Sequence, residues 1–125
     1  MNGNFVAIPR AVVTKIGILD PVYHHDIGDV DYGLTAIEAG ISVVSSRCYI
    51  GQTDGKLKSP HKRNRRSGVN IRQRFRILYS PLGSNPNITF HFISKHQGLV
   101  YAIGYYAYVH FINMLPDKIY NIISR

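Results

Sequence analysis

The chain has 125 residues, enough for one domain and too few for two independent ones. Hydrophobic residues make up 45% and charged residues 18%, which is the balance of a chain that buries a core and excludes a disordered tail. The net charge of +8 is uneven: residues 1–55 carry three bases and six acids, residues 56–76 nine bases and no acid, and residues 77–125 three bases and one acid. A single basic segment points to a local anionic contact, not to a uniformly nucleic-acid-like surface. The lone Cys48 excludes an internal disulfide framework. Met1-Asn2-Gly3-Asn4 lacks the charged and apolar regions of a secretory signal, so a cytoplasmic location is expected.

In chain order, Asn4 to Ile8 is a short apolar run closed by Pro9 and reads as a buried strand. Arg10 to Ile16 suits a short helix, with Pro9 opening it and Gly17 just past its end. A polar loop with His24, His25 and Asp26 leads to a second helix from about Asp29 to Ala39, stopped by Gly40 and striped by Val30, Leu34 and Ile37. Ile41 to Val44 and Cys48 to Ile50 are β-branched or aromatic and read as two strands, the second holding a buried Cys48. Residues 51–69 have no hydrophobic period and read as a loop. Ile71, Phe75 and Leu78 make residues 70–79 a basic amphipathic helix, with Arg72 and Arg76 on another face. Between Asn87 and His96 the pattern fits a strand or a helix equally. Leu99 to Leu115 has no charged residue but too many Tyr, His and Asn tips for a membrane span, so it reads as a buried or interface-lying helix.

The densest polar cluster is His24-His25-Asp26-Ile27-Gly28-Asp29-Val30-Asp31-Tyr32-Gly33. Carboxylates two apart on a helix point about 200° apart, so Asp29 and Asp31 cannot both address one substrate atom. One reading makes Asp29 a helix cap and Asp31 a complement to the helix's positive end. The other uses an ionised carboxylate there as a proton acceptor for a hydroxyl acidified as its bond forms. His24 and His25 are metal ligands, substrate contacts or, as adjacent loop residues without a second spaced ligand pair, simply exposed polar residues.

Asn2-Gly3-Asn4-Phe5-Val6-Ala7-Ile8-Pro9-Arg10, Lys15-Ile16-Gly17-Ile18-Leu19-Asp20 and His25-x-x-Gly28-Asp29-x-Asp31-Tyr32-Gly33-Leu34, in this order and with these gaps, resemble the second half of a family 2 glycosyltransferase catalytic domain. Ala39-Gly40-Ile41, Tyr49-Ile50-Gly51, Arg72-x-Arg74, Ser80-Pro81-x-Gly83 and Lys95-His96-x-Gly98 continue the pattern more weakly. The resemblance implies an α/β chain, a partial GT-A-like domain with a short mixed sheet flanked by helices and the donor-binding half absent. Residues 1–125 would then be a single domain or fragment, with an acceptor-side catalytic segment at 1–55, a basic loop at 56–69 and a helical segment at 70–125.

It further implies inverting sugar transfer from a nucleotide sugar to a hydroxyl of a glycan or lipid-linked acceptor. Asp29 would be the general base, with Asp31, His25 and His24 on the acceptor side. A divalent metal, Mn or Mg, is implied only in the complete enzyme, and activity is expected only with the donor half. An open sheet edge would invite a homodimer.

The basic segment has three readings. It is a solvated loop, a contact for anionic lipid headgroups or a diphosphate-bearing acceptor through Arg63, Arg65, Arg66, Arg72 and Arg74, or a nucleic-acid contact. The last is disfavoured because no aromatic platform is interleaved with the charges. The second places the chain at the inner face of the membrane, and a non-enzymatic basic module is the alternative to the enzyme.

Overall fold

The computed structural model describes residues 5–24, 27–49, 51, 69–81 and 83–123. The chain divides into two compact units, Met1–Leu57 and Lys58–Arg125. Among the described residues there are six helices and no strand.

The expected α/β architecture with a short mixed sheet is therefore corrected to an all-helical one. The described parts of the three expected strands, residues 5–8, 41–44 and 48–49, are irregular and form no backbone ladder. β-branched and aromatic residues favour strands only where a neighbouring strand supplies the other half of each hydrogen bond, and none does among the described residues. Val44 is 85% exposed and Tyr49 fully so. Cys48, expected to be buried, is exposed, with Sγ 3.4 Å from Ser46 Oγ. Among the described residues there is no sheet edge of the kind through which a homodimer was expected.

In the first unit, α1 spans Arg10–Ile16 and α2 spans Gly28–Glu38. Pro9, at φ −60° and ψ 144°, feeds α1. Gly17 ends it at φ 83°, donating its N–H to the Val13 carbonyl. α2 ends in a Schellman motif: Gly40, at φ 75°, donates to the Ile37 carbonyl, and Ile41 donates to that of Ala36. Two long side chains tie the helices together. Tyr32 donates its hydroxyl to the Gly17 carbonyl at 2.8 Å, and Lys15 Nζ donates to the Ala39 carbonyl at 2.6 Å. The ammonium thus meets the negative end of α2, where a cation is favoured.

In the second unit, α3 spans Ile71–Leu78, α4 Pro86–His96, α5 Leu99–Met114 and α6 Asp117–Ile123. A reciprocal capping box starts α3: Gln73 N–H donates to Asn70 Oδ1 at 2.9 Å, and Asn70 N–H donates to Gln73 Oε1 at 3.2 Å. Asn85 Oδ1 accepts the Asn87 N–H and Pro86 takes the first helical position, which decides the ambiguous segment in favour of helix. Gly98, at φ 98°, turns the chain sharply so that α5 packs along α4 as a helical hairpin. Leu78, Ile93, Ala102 and Val109 form the apolar core of this unit.

Candidate functional site

The motif residues converge on the start of α2. Ile27 holds the N-cap position at φ 64° and offers no side-chain cap. The orphan N–H groups of the first turn must find other acceptors. Asp29 supplies one: its Oδ1 accepts the Val30 N–H at 2.9 Å. Asp29 is half-buried, and its second carboxylate oxygen makes no hydrogen bond among the described residues.

Asp31 is in a different situation. It is 2% exposed, and its Oδ1 accepts the Tyr23 hydroxyl at 3.0 Å. Burial, this hydrogen bond, and the charges of Asp31 and Asp20 all push the Tyr23 phenol well above its ordinary pKa, so it remains a protonated donor to the carboxylate. Gly28 makes room for this pairing, since a Cβ there would lie 2.9 Å from the Tyr23 Cβ. The two acids expected to face apart do so in their partners as well as in their angles.

A groove of about 800 Å³ runs beside α2, walled by residues 5–9 and 41–46 and floored by Val12, Tyr32, Gly33 and Ala36. Gly33 and Ala36 stand four and seven residues after Asp29, on one helical stripe. The small side chains of that stripe open the groove, and Asp29 continues the stripe one turn toward the N-terminus. Asp31 lies off it.

His24 is exposed, and His25 lies outside the described residues, as do Arg63, Arg65 and Arg66. Arg72 and Arg76 are exposed on α3. Arg74 is 8% exposed, and its guanidinium is engaged within the fold. Nη1 donates to the Leu115 carbonyl at 2.9 Å, Nη2 pairs with Asp117 Oδ1 at 2.9 Å, and Nε donates to the Val69 carbonyl at 3.3 Å. Three anchors for one planar fork make it the joint between α3 and the turn from α5 to α6. No local pattern marks this role, because two of its partners lie more than forty residues away in the chain.

Sequence reasoning also missed a polar cluster in the second unit. The Tyr79 hydroxyl lies 2.9 Å from that of Tyr106 and 2.7 Å from His110 Nε2, while His110 Nδ1 lies 2.7 Å from the Tyr106 carbonyl. Burial, and then the Tyr106 hydroxyl, push the Tyr79 phenol up to about 12. Tyr106 and His110 are a helical i, i+4 pair, the one sequence signal available for it.

Among the described residues, no three His, Cys, Asp or Glu side chains converge where a metal ion could sit. Among known proteins, no family model, no curated protein and no solved structure matches the chain.

Proposed function

We propose that this chain supplies the acceptor side of an inverting sugar transfer from a nucleotide sugar to a hydroxyl of a glycan or lipid-linked acceptor. One observation carries the reading: of the two motif acids, only Asp29 falls on the helical stripe whose later members Gly33 and Ala36 line the groove, although Asp29 itself does not line it, and among the described residues its second carboxylate oxygen has no partner. In the reaction, the acceptor oxygen forms its bond to the anomeric carbon as the bond to the diphosphate oxygen breaks. The leaving electron pair stays with the diphosphate, and the hydroxyl proton passes to Asp29. Asp31, buried and held by Tyr23, positions the first turn of α2 and does not touch the acceptor. No described residue is assigned to the donor, so activity requires a donor-binding half. With a lipid-linked acceptor, the site of action is the inner face of a membrane.

The test joins the chain to a donor-binding half and measures turnover and melting temperature. Asp29→Asn keeps an oxygen for the Val30 N–H and loses the proton acceptor, so turnover falls by about 10²- to 10⁴-fold with little change in melting. Asp31→Asn costs far less turnover. Near-normal turnover in a folded Asp29→Asn variant returns that residue to a purely capping role.

A second reading, a non-enzymatic module that binds anionic lipid or nucleic acid, is favoured by the nine bases between residues 56 and 76. Nuclear magnetic resonance titration with acceptor oligosaccharides separates the two. Shifts at the Gly28 to Gly33 amides support sugar transfer. Silence there, with salt-sensitive lipid or nucleic-acid binding at 56–76, supports the module.

A further inference from the structure

α5 is packed the wrong way round for a helix whose outer face meets water. Its exposed residues occupy one continuous arc of about 200° and include Leu99, Val100, Ile103, Ala107, Phe111 and Met114. Val100 is 82% exposed and Phe111 57%. No charged or amide side chain interrupts the arc. The opposite, packed side carries Tyr106 and Asn113 along with Ala102 and Val109, while the half-buried His110 sits at the edge of the outer arc between Leu99 and Ile103. Asn113 is therefore turned inward, while Val100, Ile103, Phe111 and Met114 face outward. Tyr101 and Tyr108 lie together at one edge of the outer arc. A contiguous apolar face of this kind on a folded unit marks a contact surface.

The charge of the same unit says what covers it. Apart from the paired Arg74 and Asp117, every formally charged residue from 69 to 123 is a base: Arg72, Arg76, Lys95 and Lys118. No acid remains in that range to repel an anionic surface. At 16 residues α5 is about 24 Å long, shorter than the roughly 30 Å hydrocarbon core, and no described helix is long and apolar enough to cross a membrane. A helix with a broad apolar face and boundary tyrosines, in a unit whose remaining charges are basic, fits the plane of the headgroup region.

We propose that the second unit docks on anionic phospholipid bilayers, with the outer arc of α5 lying in the plane of the interface. The inference is independent of the sugar-transfer reading and holds for the full chain whether or not Asp29 is a base.

The experiment measures partition of the full chain onto phosphatidylcholine vesicles and onto vesicles with a phosphatidylglycerol fraction of about one third. Binding is expected on the anionic vesicles and weakens with salt. Replacing Val100, Ile103 and Phe111 together by Gln, on a surface whose helicity circular dichroism monitors, lowers partition by about tenfold or more. Arg72→Gln and Arg76→Gln each lower it by about fivefold, and only on anionic vesicles. A single Phe111→Trp variant, which leaves the fold intact, shifts its emission to the blue on vesicles and is quenched by brominated acyl chains.

Partition unchanged in the triple Gln variant overturns the proposal, as does a Phe111→Trp emission that ignores vesicles. Equal binding of the parent chain to neutral and anionic vesicles overturns the charge argument. If the triple variant instead converts a dimer to a monomer in the absence of lipid, a second copy covers the arc and the proposal fails.

Discussion

In α2 the buried side chains are Asp31, Tyr32 and Ala36, beside Gly33, and the single acid among them is matched by the Tyr23 phenol. In α5 the packed side holds Tyr106 and Asn113, while Leu99, Val100, Ile103 and Phe111 face outward. Both helices bury polar groups, yet α2 gives its acid a partner and opens a groove over small residues. Among the described residues each helix also leaves one buried polar atom without a partner, Thr35 Oγ1 in α2 and Asn113 Nδ2 in α5, but only α5 carries its apolar surface outside. A buried polar group hydrogen-bonded in the fold is a positioning device; an unmet one is a cost the fold carries for some other reason.

The largest expected effect breaks the second unit at its joint. Arg74→Met keeps the apolar stem but strands the Leu115 and Val69 carbonyls and the Asp117 carboxylate, so it costs about 2–3 kcal/mol, softened because Asp117 is partly in water. Urea titration followed by circular dichroism measures it, and a loss below about 0.5 kcal/mol would show the fork to be a surface pair.

The contrast between α2 and α5 is sharpened by a matched pair of variants. Tyr23→Phe removes the partner of buried Asp31 and lowers stability by about 1–2 kcal/mol. Asn113→Leu removes the unmet donor at nearly the same volume and raises stability by about 1 kcal/mol. Equal signs in the two melting experiments would erase the distinction.

The smallest effect is a pH dependence. Tyr79 holds its proton in the fold up to about 12, above the ordinary phenol value near 10, so between these values the unfolded chain binds fewer protons than the folded one. Stability is full below pH 10 and falls as pH rises toward 12. Tyr79→Phe lowers this alkaline slope in melting curves recorded across that window, and the slope that remains belongs to Tyr23, whose phenol is also pushed up.

The helices from 10 to 16, from 28 to 38 and from 71 to 78 were legible because each has a local start, a local stop or an i, i+4, i+7 stripe. The start of α4 was also written locally, in Asn85 and Pro86, but the alternation of Ile88, Phe90 and Phe92 masked it. α6 follows Pro116 and opens on Asp117, a start signal too short to stand out from the chain end. The strands at 5–8, 41–44 and 48–49 were misread because strand preference describes a residue's fit to a sheet and cannot show whether a sheet exists. At the candidate site, the angular separation of Asp29 and Asp31 followed from helix geometry alone. The Tyr23 partner and the groove depend on a turn and on chain segments that no periodicity reports.

Gly83 sits in the turn between α3 and α4, donating its N–H to the Ser80 carbonyl at 2.8 Å. A Cβ at this residue would overlap the carbonyl groups of both Ile77 and Leu78, backbone atoms at the end of α3 that cannot swing aside as a side chain could. Position 83 is thus closed to mutational drift while this turn persists. Any lineage that replaces the glycine must also rebuild the link, by changing its length or unwinding the last turn of α3, so the residue and the loop length can only change together.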